Sequence, residues 1–181
     1  FTNAIFNFEQ KSSYTIRVQT SDGSSSFSQQ FPVTIMDGND GPTDLAISDN
    51  VVAENANTGT FIADLSTTDV DAVDSHSYSL VTGTGSTDNS KVKIIGTQLL
   101  SNSVYDFEMQ DTLMIRIKSM DAAGQSTEKA FIVIVTEEND TPTDIAISTN
   151  SFAENQNVNT TILSFTTTDQ DAGDQHNYSF D

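Results

Sequence analysis

Seven residues, Pro42-Thr43-Asp44-Leu45-Ala46-Ile47-Ser48, return one hundred positions later as Pro142-Thr143-Asp144-Ile145-Ala146-Ile147-Ser148. The correspondence then runs without a gap to the end of the chain, and 21 of 39 positions are identical between 43–81 and 143–181. A fixed period of this size restricts the chain to tandem copies of one folding unit, and about 100 residues are enough for each copy to enclose its own core. The boundary recurs as Asn39-Asp40-Gly41-Pro42 and Asn139-Asp140-Thr141-Pro142, which places one whole unit at 43–142. Phe8-Glu9 matches Phe107-Glu108, so 1–42 reads as the C-terminal part of a preceding unit, and 143–181 as the N-terminal part of the next. The stretch equivalent to 82–99 is in neither piece, and the chain is expected to be a window on a longer protein.

The apolar residues recur with a period of two. Leu113, Ile115 and Ile117 alternate with Met114, Arg116 and Lys118, and Tyr14, Ile16 and Val18 with Thr15, Arg17 and Gln19. Phe131, Val133 and Val135, like Phe31, Val33 and Ile35, keep the same spacing. Such alternation marks half-buried strands of an antiparallel sheet. Further strands are predicted near 43–48, 51–53, 60–67, 76–81 and 91–100, separated by Gly, Asn, Asp and Ser clusters, and no segment holds helical spacing over three turns. The expectation is all-β: a seven-stranded, two-sheet Greek-key β-sandwich in each unit, one whole and two partial.

Charge narrows the function. Twenty-six acidic residues face seven basic ones, a net charge of −19. Nucleic acids and anionic membranes need basic patches, so no nucleic acid is expected as a partner, and binding to an anionic membrane is not expected as a main role of this segment. Self-repulsion of this size opposes a compact state unless cations neutralise it. Disorder is the other usual outcome for acidic chains, but the 35% hydrophobic content sits in strand patterns. There is no cysteine, hence no disulfide staple or thiol chemistry, and no apolar run long enough to span a membrane.

The acidic residues cluster, and the clusters recur: Glu54-Asn55 with Glu154-Asn155, Asp69-Val70-Asp71 with Asp169-Gln170-Asp171, Asp106-Phe107-Glu108 with Asn7-Phe8-Glu9, Asp121 with Asp22, and Asp37-Gly38-Asn39-Asp40 with Glu137-Glu138-Asn139-Asp140. Each falls at a predicted strand end or at the unit boundary, so the carboxylates gather at the poles of the sandwich. A hard cation with many oxygen ligands relieves that repulsion. Calcium takes about six to eight oxygens, whereas magnesium keeps more of its water.

This ordered set of motifs (AEN, DFE, DxD, MDAAG, xxNDxP) resembles a cadherin repeat, more narrowly the cadherin-like, immunoglobulin-like repeats of large bacterial surface proteins, over the whole chain. The resemblance implies calcium held between consecutive units. At the first junction it implies Glu9, Asp37, Asn39 and Asp40 from one unit with Asp69, Asp71 and Asp121 from the next. At the second it implies Glu54, Asp106, Glu108, Glu137, Asn139 and Asp140, then Asp169 and Asp171. Two positions depart from the pattern: Asn7 stands where the family has Asp, and Glu137 where the linker usually has Asp. Asp74 and Asp174 lie near a further ligand position, while Asp22 and Glu154 match motifs whose junction partners are outside the chain.

Other readings have less behind them. DxDxxD is not an EF-hand loop, because Val73 or Gly173 occupies the fifth position and no Glu closes the loop. His76 and His176 are equivalent strand-end residues with an expected packing or hydrogen-bonding role, since a Ser-His-Asp relay needs only one copy. Asn159-Thr160-Thr161 and Asn177-Tyr178-Ser179 fit the glycosylation sequon.

The functional expectation is an extracellular, calcium-rigidified structural or adhesive array, a stalk or filament segment of a cell-surface or secreted protein. Its partners are calcium, neighbouring repeats, and homotypic contacts or another surface ligand. A passive spacer for a distant adhesive head fits equally, because the chain lacks the N-terminal Trp that some cadherins exchange between cells. A carbohydrate-binding module is the rival from another class, but it wants exposed aromatics, and the chain has no Trp and four Tyr. No enzyme is expected. Strand sharing between the partial units of two chains is conceivable, and the absent 82–99 equivalent argues against it.

Overall fold

The computed structural model describes residues 4–71 and 73–180. Twelve strands and a 3₁₀ turn (Asn89–Lys91) are the regular elements among them. The strands are β1 (Ser13–Ser21), β2 (Ser26–Thr34), β3 (Asp44–Ile47), β4 (Val51–Ala53), β5 (Phe61–Thr68), β6 (Ser77–Leu80), β7 (Val92–Ile95), β8 (Gln98–Ser101), β9 (Thr112–Met120), β10 (Ser126–Thr136), β11 (Asp144–Ile147) and β12 (Phe165–Thr168).

Strands β3 to β10 form two four-stranded sheets, β3-β5-β8-β7 and β4-β10-β9-β6. All pairings are antiparallel except β4 with β10, which run parallel from Val51↔Ile134. The alternation read in β9 is realised: Leu113, Ile115 and Ile117 are buried, and with Val133 and Val135 of β10 they share one core with Leu45, Ile62, Leu65 and Leu99 of the other sheet. Removing each such side chain from water contributes about 1.5–3 kcal/mol, so one inward face per strand suffices to hold the sandwich.

One expected strand divides in two. The run near 91–100 is a hairpin, β7 and β8 paired around Gly96-Thr97, with Gly96 left-handed at φ 61°. A two-residue turn between the pairs Ile94-Ile95 and Leu99-Leu100 leaves little trace in a period-two pattern, and the whole unit therefore has eight strand segments.

The flanking pieces keep the same local structure. β1 and β2 form a hairpin like β9–β10, and β11 pairs with β12 as β3 pairs with β5. Their apolar faces are open: Ile16 and Val18 are 48% and 51% exposed, whereas their counterparts Ile115 and Ile117 are 0% exposed.

This topology sets the poles. β4 and β10 end together, where β9 begins. At the opposite pole the ends of β5 and β9 are tied by the Thr67 and Ser119 hydroxyls, 2.6 Å apart. Among the described residues no helix is long and apolar enough to cross a membrane.

Candidate metal centre

Each acidic motif lies in a segment outside the strands. Asp69 follows β5, Asp121 follows β9, Glu54 follows β4, Asp106 and Glu108 lie in the β8–β9 loop, and the linkers follow β2 and β10. Asp69, Asp71 and Asp121 therefore share one pole, and Glu54, Asp106, Glu108 and the second linker share the other.

Backbone contacts lock each linker to the next unit. At the first junction the Asp40 amide donates to Asp71 Oδ2 at 2.7 Å. The Asn39 side-chain amide donates to Asp121 Oδ2 at 3.0 Å, and the Gln125 side-chain amide to the Asn39 carbonyl at 3.1 Å. At the second junction the Asp140 amide donates to Asp171 Oδ2 at 2.7 Å, and Gln170 Nε2 donates to Asp106 Oδ2 at 3.1 Å. Asn55 Nδ2 reaches Asp140 Oδ1 at 2.9 Å. Asn55 and Asn155 are left-handed, at φ 56° and 61°, a conformation Asn tolerates better than most residues, which accounts for Asn after the Glu in both copies.

Four groups of three carboxylates converge, each offering oxygens within 4.8 Å of one another: Glu9, Asp40 and Asp71; Asp69, Asp74 and Asp121; Glu54, Asp106 and Glu108; and Glu108, Asp140 and Asp171. Two of the four join residues of consecutive units. Asp74, a lesser candidate by sequence, stands inside the second group. Asp37 belongs to none of them. Glu137 and Asp174 line a cleft of about 460 Å³ with Glu108 and Asp171. Asn139 turns its side-chain amide to the Asp140 carbonyl at 2.6 Å, and Asp169 faces His176.

The electrostatics divides these groups in two. Asp121 is held below its ordinary value chiefly by the Asn39 amide, against burial, with help from the amides of Gln125, Gly124 and Ala123. Asp69 and Asp169 are likewise lowered, first by hydrogen bonds from His76 and His176. Asp74 moves the other way, raised by desolvation and then by the charges of Asp121, Asp69 and Asp71. Glu108 is raised by desolvation and then by Glu54, Asp171 and Asp140. Three buried oxygens, Asp71 Oδ1, Asp74 Oδ2 and Asp171 Oδ1, accept no hydrogen bond. A buried acceptor without a donor is costly, and charged ones more so. All-oxygen groups, crowded negative charge and orphaned inward lone pairs fit a hard cation such as calcium.

Two roles were not legible beforehand. Glu54 is 2% exposed, and its oxygens accept the amides of Phe107 at 2.6 Å and Glu138 at 2.9 Å, so it clamps the β8–β9 loop to the linker. Asn7 keeps half of the job of its counterpart: its Oδ1 caps the Gln10 amide at 2.7 Å, as Asp106 Oδ1 caps Met109 at 2.8 Å, but it brings no charge.

No family model and no curated protein matches the sequence. Solved structures do. Cadherin domains 1–4 of protocadherin gamma B7 align at 21% identity with a TM-score of 0.70, over 94% of this chain and 44% of that one. The protocadherin gamma B4 extracellular domain gives 19% and 0.68, over 94% and 28%. Domains 1–2 of human protocadherin-24 give 16% and 0.59, over 74% and 70%. The fold is cadherin-like, and the chain spans less than half the length of the first two relatives.

Proposed function

We propose that this chain is a segment of an extracellular array of cadherin-like repeats, structural or adhesive in role, whose junctions are stiffened by calcium. The observation that carries this reading is the repeated junction: the linker amide of Asp40 or Asp140 bound to Asp71 or Asp171, beside a carboxylate oxygen that is buried and has no donor. At the first junction Glu9, Asp40, Asp69, Asp71, Asp74 and Asp121 would hold calcium. At the second, Glu54, Asp106, Glu108, Asp140, Asp169 and Asp171 would do so, with Glu137 and Asp174 within the same cleft. Calcium supplies there the positive charge and the high coordination number that these oxygens lack.

The residues do the mechanical work. Strand ends fix the carboxylates of each unit, and the linker amides fix one unit to the next. With the carboxylates neutralised, repulsion across the linker disappears and the hinge between units is lost. Extracellular calcium modules work at about 10⁻⁴–10⁻³ M, so such an array is stiff outside the cell and slack where calcium is scarce. The similarity to protocadherin extracellular domains supports placement at a cell surface or in a secreted protein, with binding rather than catalysis as the role. Small-angle scattering with calcium and with excess chelator tests the reading. The maximum dimension should rise and the flexibility fall with calcium, and identical curves in both conditions would count decisively against it.

A further inference from the structure

Both described DxD motifs carry a histidine that the junction reading does not use. His76 Nε2 lies 3.0 Å from Asp69 Oδ2, and His176 Nε2 lies 2.8 Å from Asp169 Oδ2. The neighbouring residues change between the copies, Ser75 to Gln175 and Ser77 to Asn177, while the His and its Asp stay. The carboxylates involved are almost fully enclosed, with Asp69 and Asp169 side chains 4% and 5% exposed. Their other oxygens accept the amides of Asp71 at 3.1 Å and Asp171 at 3.3 Å. Each first Asp is thus held at both oxygens, one by its own loop and one by the imidazole.

The imidazole stands just before a strand. His76 immediately precedes β6, whose Tyr78 hydroxyl accepts from Thr67 of β5 at 3.0 Å, so the ring is carried by a fixed backbone. Asp69 has the charged neighbours Asp74 and Asp121 within reach, and free rotation would swing it away from them. An Nε2–H donor stops that rotation and leaves a lone pair on each Asp69 oxygen directed elsewhere.

We propose that His76 and His176 are positioning residues for cation binding: each donates its Nε2–H to the first Asp of its DxD motif and presents that carboxylate to the junction site. The proposal rests on the calcium reading above. Outer partners of metal ligands change affinity by about 10–100-fold when removed, and that is the effect expected here.

Calcium titrations of the whole chain by calorimetry, on wild type, His76→Leu and His76→Gln, test it. His76→Leu should weaken binding at the first junction about 10–100-fold and leave the second unchanged as an internal control. His76→Gln, whose side-chain amide reaches the same place, should restore affinity to within about threefold of wild type, which a purely packing role does not explain. In the metal-free wild type, long-range proton–nitrogen correlation should show the proton of His76 on Nε2. Unchanged affinity in His76→Leu, equal loss in His76→Gln and His76→Leu, or a proton on Nδ1 alone each overturns the proposal. The tautomer measurement needs no variant, so a misfolded His76→Leu does not shield it. A wild type that takes up no calcium overturns the junction reading and this role with it, and is told apart because wild type and variants then behave alike.

Discussion

The amide of Asp140 and the Oδ2 of Asp171 stand 2.7 Å apart across a unit boundary, and Asp40 and Asp71 repeat the contact at 2.7 Å one hundred residues earlier. Two independent linkers thus place the same carboxylate by the same backbone donor. In each case the other oxygen of that carboxylate is buried without a donor. The second Asp of each DxD motif therefore joins linker geometry to the proposed cation site.

It follows that Asp69→Ala combined with Asp71→Ala removes carboxylates from two of the four groups and the linker's acceptor as well. Calcium binding at the first junction should fall by at least 100-fold while the second keeps its affinity, since separated sites act independently. Calorimetry of the double variant should show one class of sites in place of two. Loss at both junctions would disprove the assignment.

Chelation should destabilise the protein. A ligand that binds only the folded state at about 100 times its Kd adds about 2.7 kcal/mol, and for a domain of about 100 residues each kcal/mol moves Tm by roughly 4–8 °C. Calorimetric melting with about 10 mM calcium, roughly 100 times the tighter end of the affinity range of extracellular calcium modules, and with excess chelator should differ by about 10 °C. Magnesium at the same concentration should give a smaller shift, since it keeps its water in preference to an all-protein cage.

Glu54 and Glu154 share a motif but not an environment. Glu54→Ala removes the buried carboxylate that accepts the amides of Phe107 and Glu138 and should cost about 1–3 kcal/mol even without metal. Glu154 is exposed, and Glu154→Ala should change stability by less than about 0.5 kcal/mol. Urea unfolding in chelator separates the two, because the clamp is a backbone device as well as a candidate ligand.

Much of this molecule was legible in the sequence because its information is local or repeated. Alternation in Leu113 to Lys118 gave the buried face of β9, and the hundred-residue period gave the recurrence of the Asp40–Asp71 contact as Asp140–Asp171. Part of what escaped depends on residues far apart in the chain, and part on local turn geometry. Glu54 meets Phe107 and Glu138 across 53 and 84 positions. The Gly96-Thr97 turn lies between two short apolar pairs, and Asn7 reads as a lost ligand although it keeps its turn cap. The pairing of His76 with Asp69 is only seven residues long, yet loop geometry rather than spacing decides it.

Asp88 is the other long-range case. By sequence it belongs to a surface turn, but it is buried beside β9, accepting the Met114 amide at 2.8 Å and Gln110 Nε2 at 3.1 Å. Burial pushes its carboxyl up, but the Met114 amide, the Gln110 and Thr87 side chains and the Lys91 charge outweigh this and hold it below its ordinary 3.8. With the folded value below the unfolded one, the ionised group stabilises the fold above about pH 3.8, and that contribution disappears as pH falls through the folded value. Asp88→Ala should therefore cost about 1–3 kcal/mol at neutral pH, with the gap from wild type closing below pH 3.8. Urea unfolding in chelator across that range measures the gap. A difference independent of pH would mean that Asp88 acts by packing alone, because only the ionised carboxylate accepts all of these donors at once.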